Sequence, residues 1–341
     1  MQYRTLGRTG VQVSTLTLGT MNFGSYGGTT EAETTAIVRR SLDAGINLID
    51  TADVYSGGES EELLGKALAG VDRDDVVLAT KFRLQMGDRN RQGGSRRWIV
   101  KAVENSLRRL GTDHIDLYQM HRPDPETDIE ESLSALTDLQ RAGKILYFGS
   151  STFSGSEIVE AQWAAERRGL GRFVTEQPPY SILMRGIEVD VLPTTRRYGM
   201  GVLAWSPLSA GYLAGKYRPG AEPEKTHRDT VAARGGRPVR VTADDDAKRE
   251  AAEQLYALAQ ESGMSIIELA LAFVVRHPGV TSAVIGPRTM KQLESQLPAA
   301  DRELSTDVLD RIDEIVAPGH TVKASDTSAL IPALGRAQRR R

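Results

Sequence analysis

From Leu16 onward the chain repeats one pattern: a short apolar run, a polar loop, then a longer segment whose apolar residues recur at helical spacing. The strand-like runs read from the sequence are Leu16–Leu18, Leu48–Asp50, Val76–Lys81, Ile115–Met120, Ile145–Gly149, Phe173–Gln177, Gly201–Trp205 and Thr281–Ile285. Helix starts are marked by Ser or Thr followed three residues later by Glu, at Thr30/Glu33, Thr127/Glu130 and Ser154/Glu157. In such a pair the hydroxyl and the carboxylate each satisfy a backbone N–H that the first turn leaves free. Gly45, Gly111 and Gly143 mark stops. The segment Ser95–Leu110 sets Ile99, Val103, Leu107 and Leu110 on one helical face. Ahead of the repeats, Tyr3–Leu6 and Val11–Ser14 alternate about Gly7-Arg8-Thr9-Gly10, which predicts a hairpin.

Eight strand–helix units predict a closed (β/α)8 TIM barrel in one domain spanning residues 1–341. A doubly wound open sheet is the rival, but its dinucleotide sites usually carry G-x-G-x-x-G between strand and helix, and no such hexad occurs. The hairpin is expected to plug the N-terminal mouth of the barrel. Two segments break the rhythm. Residues 216–242, rich in Gly, Pro, Arg and His, predict a long loop after the seventh strand. Two helical patterns, Asp244–Ser262 and Ser265–Arg276, precede the eighth strand, and a further one follows it. The tail from Gly319 to Arg341 is expected on the surface, with its last residues frayed.

Composition narrows the classes. The 341 residues are 40% hydrophobic and 26% charged, with net charge −2, which is ordinary for a globular protein and unlike a nucleic-acid binder. No apolar run of about eighteen residues predicts a membrane span, and the N-terminus lacks an apolar signal core. The absence of cysteine removes disulfides, thiolate nucleophiles and thiolate metal ligands together. A cytoplasmic protein with no nucleic-acid or membrane partner is expected.

Barrels of this type do their chemistry at the C-terminal ends of the strands. Those ends carry Asp50, Lys81, His121, Ser150-Ser151-Thr152, Gln177, Trp205-Ser206 and Gly286-Pro287-Arg288, with Tyr55 in the loop beyond Asp50. The set suits proton transfer coupled to carbonyl reduction. A phenol with an ordinary pKa of ~10 releases protons reluctantly. A neighbouring ammonium favours the phenolate, and a carboxylate holds the ammonium in place. Tyr55, Lys81 and Asp50 supply these groups, and His121 is placed to orient a carbonyl. A Schiff base on Lys81 is a rival chemistry. A carboxylate pair of glycosidase type stays open, although Asp50 is the only acid at a strand terminus. Of five histidines only His121 ends a strand, and neither H-x-H nor H-E-x-x-H occurs, so no metal is expected.

These residues resemble the aldo-keto reductase superfamily. The segments carrying the likeness are Ile49–Tyr55, Ala79–Lys81, Asp116–His121, Gly149–Phe153, Glu176–Tyr180, Trp205–Leu208, Gly215–Tyr217, and Ile285–Arg288 with Gln292–Glu294. The resemblance implies NADPH as cofactor and Tyr55 as proton donor, tuned by Lys81 and Asp50, with His121 positioning the carbonyl. It assigns Ser151, Thr152 and Gln177 to the nicotinamide carboxamide and Trp205 to the ring face. It gives Gly19, Thr20 and Met21 to the same cofactor. Ser206, Pro207, Leu208, Gly211 and Lys216 fall in the stretch that covers the pyrophosphate. Arg288 meets the adenosine 2′-phosphate, with Gln292 and Gln296 nearby, and Gly286 is given to the same cofactor. Thr152, Ser295 and Gln296 stand where the family commonly has asparagine, glutamate and asparagine. Arg288 also opens a helix pattern, a setting that favours an anion on physical grounds.

Charge around the expected active face is lopsided. Arg83, Arg89, Arg91, Arg96 and Arg97 face Asp88 alone between Phe82 and Trp98, and Arg122 follows His121. Arg218, Lys225, Arg228, Arg234, Arg237 and Arg240 lie in the long loop. Such a rim suits an anionic substrate. Within the superfamily the chain looks most like bacterial deoxysugar-pathway reductases acting on nucleotide-diphosphate keto-sugars, the likeness lying in 95–125 and 176–211. General carbonyl reductases, and channel-associated β subunits that bind NADPH without a catalytic role, share the same pattern.

Overall fold

We describe residues 1–217, 243–324 and 326 from a computed structural model. The hairpin forms from β1 (Tyr3–Thr5) and β2 (Gln12–Ser14), antiparallel with Tyr3 opposite Ser14. Eight parallel strands follow: β3 (Leu16–Gly19), β4 (Leu48–Asp50), β5 (Val77–Phe82), β6 (Ile115–Met120), β7 (Ile145–Ser151), β8 (Thr175–Gln177), β9 (Gly201–Ala204) and β10 (Ser282–Ile285). They close in chain order, β10 pairing with β3 through Ala283–Leu16 and with β9 through Ser282–Leu203. The (β/α)8 barrel read from the sequence is the fold.

The outer ring is α1 (Glu31–Asp43), α2 (Glu59–Leu68), α3 (Arg96–Leu110), α4 (Ile129–Arg141), α5 (Gly155–Arg168), α6 (Val191–Tyr198), α7 (Ala243–Glu261), α8 (Ile266–Arg276), α9 (Met290–Gln296) and α10 (Thr306–Ile315). Capping boxes form at Thr30/Glu33 and Ser154/Glu157, and another at Ser265/Glu268 opens α8. The box expected at Thr127/Glu130 does not form. Thr127 instead donates its hydroxyl to Asp124 Oδ2 at 2.9 Å, and Asp128 takes the cap position without a side-chain bond. Asp124 outcompetes the helix because it already gathers Gly94 N–H at 2.6 Å and closes the turn after β6. Ile99, Val103, Leu107 and Leu110 are all buried on α3, which ends at Gly111 in the left-handed conformation.

The loop expected after the seventh strand lies, from 218 onward, outside the described residues, as does the tail from 327. Val322, Lys323 and Asp326 of the tail are tied down. Val322 N–H donates to Leu183 O, and Lys323 and Asp326 pair with the buried Asp245 and Lys248 of α7. Among the described residues no single helix is long and apolar enough to cross a membrane.

The hairpin closes the barrel floor. Leu6 and Val13 are buried against Leu48, Ala79, Leu117 and Leu203, which point inward from four strands. This contact requires Gly7. Its φ is +58°, and a Cβ there would stand 2.8 Å from both Gly201 N and Val174 O. Gly10, at φ +83°, has open space around it. Gly7→Ala should therefore carry a left-handed penalty of about 1–2 kcal/mol plus an overpacking cost of about 1–3 kcal/mol, and Gly10→Ala the first alone. Denaturant unfolding of both variants checks this. Equal losses would show that the close approach at Gly7 carries no energy.

Candidate active site

Side chains alternate along a strand, so residues two apart share the barrel interior. Two positions above the apolar floor of Leu48, Ala79 and Leu117 come Asp50, Lys81 and Gln119, all buried, and two above Gln119 comes His121. The switch from apolar to polar layer puts one charge pair inside the barrel. Lys81 Nζ donates to Asp50 Oδ2 at 2.5 Å, to Thr51 O at 2.8 Å and to the Tyr55 hydroxyl at 3.4 Å, using all three of its N–H groups. Asp50 Oδ1 accepts from Gln119 Nε2 at 3.0 Å and from Gln177 Nε2 at 2.9 Å. The Tyr55 and His121 rings meet edge to face at 5.7 Å. Asp50, Tyr55, Lys81 and His121 thus come together, as does Gln177.

Electrostatics sets their protonation. Burial opposes the charge on Lys81, but Asp50 and then Tyr55 outweigh it and hold the ammonium above its ordinary value. For Tyr55 the balance differs from the sequence expectation. Burial raises the phenol's pKa, Lys81 pulls it down, Asp50 pushes it up again, and the net shift is upward. At neutral pH the hydroxyl keeps its proton, as a proton donor must. His121 is driven well below the usual imidazole range, first by burial and then by Lys81, Arg122 and Arg83. It is a neutral imidazole, and its buried Nδ1 has no hydrogen-bond partner. Asp53, two residues before Tyr55, is buried with both oxygens unpartnered, and burial followed by Glu61 raises its carboxyl well above the ordinary value.

The residues expected at the cofactor form a band along the ends of β3 and β7 to β10. Gly19 ends β3. Thr20 is buried with its hydroxyl against Ser60 of α2 at 3.0 Å, so its side chain is turned to the helix layer, whereas Met21 is exposed. Asn22 reaches across to Gly286 O at 2.8 Å. Ser151 donates to Gln177 O at 2.8 Å, and Trp205 N–H donates to Pro178 O at 3.0 Å. Thr152, Ser206, Ser209 and Ala210 have positive φ, as does Gly211, which packs against Lys216; Pro207 is buried and Leu208 half-buried. The Arg288 N–H is taken by Gln292 Oε1 at 2.9 Å and is not free for an anion, which leaves the guanidinium as that residue's contribution. Gln296 is buried at the far end of α9, one turn beyond Gln292.

Arg89, Arg91 and Arg97 are exposed, Arg96 turns to Asp138 at 2.7 Å, and the loop cations from Arg218 to Arg240 lie outside the described residues. Arg122 and Arg83 are the two that stand beside His121. Sequence reasoning missed Gln119, although its position two before His121 signals the shared interior face. It also missed Glu176. That carboxyl accepts from Ser150 Oγ at 2.5 Å and Phe153 N–H at 3.1 Å, and so fixes the segment in which Thr152 is held at φ +60°. No local signal in the sequence marks this role.

Burial pushes the Glu176 carboxyl from 4.5 up to about 8. The folded protein therefore holds a proton that the unfolded chain has released. The stability this gives is complete below pH ~4.5, falls as pH rises and is lost through pH ~8, by up to about 1.4 kcal/mol per pH unit. Glu176→Gln keeps an acceptor for Phe153 without the ionisation. Its melting temperature relative to the wild type should rise between pH 5 and pH 8. Parallel melting curves across that range would place the carboxyl's pKa in the ordinary region.

Comparison with known proteins agrees with this geometry. Residues 15–317 match the Aldo/keto reductase family. The chain is 40% identical to "Uncharacterized oxidoreductase YrpG" of Bacillus subtilis (strain 168), over 92% of this chain and 96% of that protein. It is 35% identical to "Probable voltage-gated potassium channel subunit beta" of Arabidopsis thaliana, over 93% and 97% of the two chains. It is 34% identical to "Protein tas" of Escherichia coli (strain K12), over 92% and 97%. With a matching barrel, a matching profile and near full-length relatives, the chain belongs to the aldo/keto reductase family.

Proposed function

We propose that the protein is an NADPH-dependent oxidoreductase that reduces the carbonyl of a small molecule, with Tyr55 as proton donor. The observation that carries this reading is the Lys81 ammonium set between Asp50 Oδ2 and the Tyr55 hydroxyl, with the neutral His121 ring against the phenol. The cofactor reading has support in the band itself. Asn22 Oδ1, Ser209 Oγ and Gln296 Oε1 are buried there without hydrogen-bond partners, and buried polar atoms of that kind are ordinarily satisfied. A bound nicotinamide supplies the hydride to the carbonyl carbon. The chain's own residues do the rest. His121 orients the carbonyl oxygen, Tyr55 gives it the phenolic proton, and Lys81 stabilises the phenolate left behind. Asp50, fixed by Gln119 and Gln177, holds Lys81 in place.

A Schiff base on Lys81 fits poorly, because each of its three N–H groups is already committed. The nucleotide-diphosphate keto-sugar suggested by the sequence draws its support from rim arginines, of which, among the described residues, Arg83 and Arg122 act on His121. A second reading, a nicotinamide-binding regulatory subunit, is favoured by the relatives named as channel β subunits. The complete Asp50, Tyr55, Lys81 and His121 set favours turnover.

Tyr55→Phe removes one hydroxyl, so folding and NADPH binding should persist while NADPH oxidation with a panel of aldehydes falls ~10²–10⁴-fold. Lys81→Met should be comparably damaging and less stable, since it strands Asp50. A Tyr55→Phe enzyme of wild-type activity, or a borohydride-trapped substrate adduct on Lys81, would defeat the reductase reading. Binding of NADPH with no turnover on any aldehyde would leave the regulatory one.

Arg288→Ala should weaken NADPH by about one to two decades, equivalent to ~1.5–3 kcal/mol, and NADH far less. Fluorescence titration with both cofactors decides. Equal losses would remove Arg288 from the 2′-phosphate.

A further inference from the structure

Two guanidinium groups stand at the mouth beside His121 and take no part in the proton transfer. Arg122 follows His121 at the end of β6, and Arg83 follows Phe82 at the end of the adjoining β5. Among the described residues no carboxylate lies within ion-pair reach of Arg122. Its Nη1 donates to two neutral oxygens, His121 O at 2.7 Å and Thr152 Oγ1 at 2.9 Å, and the guanidinium lies 5.7 Å from the centre of the Trp205 ring. The ionisable groups facing it are Tyr55, Glu176 and Arg83. Tyr55 is neutral, Arg83 repels, and Glu176 is occupied by Ser150 and Phe153.

Arg83 is hardly better matched. It reaches Asp124 Oδ1 at 3.5 Å, but Asp124 already accepts from Gly94 N–H, Thr127 Oγ1 and Glu126 N–H. Its Nε is buried without a partner, and its φ of +104° is far outside the usual range of a non-glycine residue. Backbone strain of this kind persists where the surroundings impose it, often at functional positions. A desolvated guanidinium without a counter-ion is costly, and its planar fork matches a carboxylate at two points.

We propose that Arg122, assisted by Arg83, receives a carboxylate of the substrate, so that the site selects aldehydes and ketones carrying a carboxylate a few bonds from the carbonyl. The inference rests on the reading of Tyr55 and His121 as the seat of the carbonyl. It is separate from the cofactor's phosphates, whose expected residues follow β9 and β10, across the ring from β5 and β6.

The test compares 3- and 4-formylbenzoate with their methyl esters, using NADPH and the full-length enzyme. In the wild type the carboxylates should be favoured in kcat/KM by about ten- to a hundred-fold, the worth of one charge-assisted pair. Most of the difference should lie in KM. Arg122→Gln should bring the acid-to-ester ratio near one, Arg122→Lys should restore part of it, and Arg83→Gln should lower it by a smaller factor. Esters reduced as well as acids by the wild type, or a ratio unchanged in Arg122→Gln, would overturn the proposal. So would a loss of NADPH affinity as large as the loss of preference, since that would assign Arg122 to the cofactor. If neither aldehyde is reduced, the wider aldehyde panel decides the reductase reading. Calorimetry with benzoate on the NADP+-bound protein then decides the anion site alone: binding lost in Arg122→Gln supports it, and no binding by the wild type refutes it.

Discussion

The buried pair of Lys81 and Asp50 is the constraint on which the upper half of the barrel depends. Its side chains are 0% and 3% exposed, so both charges have been taken out of water. Their mutual attraction offsets that loss only with good geometry and with every remaining donor and acceptor satisfied. Thr51 O and the Tyr55 hydroxyl complete Lys81, and Gln119 and Gln177 complete Asp50. Four strands and one loop are committed by this requirement, which fixes where the phenol can stand. The apolar floor below keeps water from the other end, and it does so only because Leu6 and Val13 of the hairpin fill it.

Above that pair the backbone departs from ordinary conformations where the strands end. Arg83 after β5, Thr152 after β7, and Ser206, Ser209 and Ala210 after β9 all have positive φ. For the β-branched Thr152 this is costly, and asparagine tolerates the conformation better. That is a physical reason for the asparagine common at the position, and Glu176 shows how this chain manages without it. Its buried carboxyl grips Ser150 and Phe153 on either side and leaves Thr152 little freedom. Strain at the mouth is thus held by polar groups in the layer beneath.

Most of the fold was legible because strand and helix periods differ and the barrel repeats them. All eight barrel strands lie where apolar runs were read, two with the same bounds and the others with ends displaced by one or two residues. The site was legible as far as it depends on strand ends, which is why Asp50, Lys81, His121 and Gln177 converge as expected. What escaped depends on contacts between distant segments. Asp124 gathers groups from 94 and 127 and so cancels a capping box that looks complete in the sequence. Arg96 belongs to Asp138 rather than to the mouth, and nothing in the run of arginines around it says so. The direction of the Tyr55 shift escaped for a different reason: sequence shows the charges near the phenol but not how deeply it is buried.

The charges that remain explain why burial and catalysis do not conflict here. Lys81, Arg83 and Arg122 are cationic, Asp50 is the one carboxylate joined to Lys81, Asp124 meets Arg83 at 3.5 Å, Glu176 is held largely neutral at pH 7, and Arg122 has no carboxylate partner among the described residues. The mouth therefore carries uncompensated positive charge before any ligand enters. Burial first, and that field after it, keep His121 neutral and able to donate to an oxygen rather than compete with it as a cation. The field also opposes the burial that raises the Tyr55 pKa, and it opposes it most once the proton has left, because the phenolic oxygen lies 3.4 Å from a fixed ammonium. A group poised in this way gives up its proton reluctantly at rest and readily when negative charge develops beside it, as proton donation to a carbonyl oxygen requires.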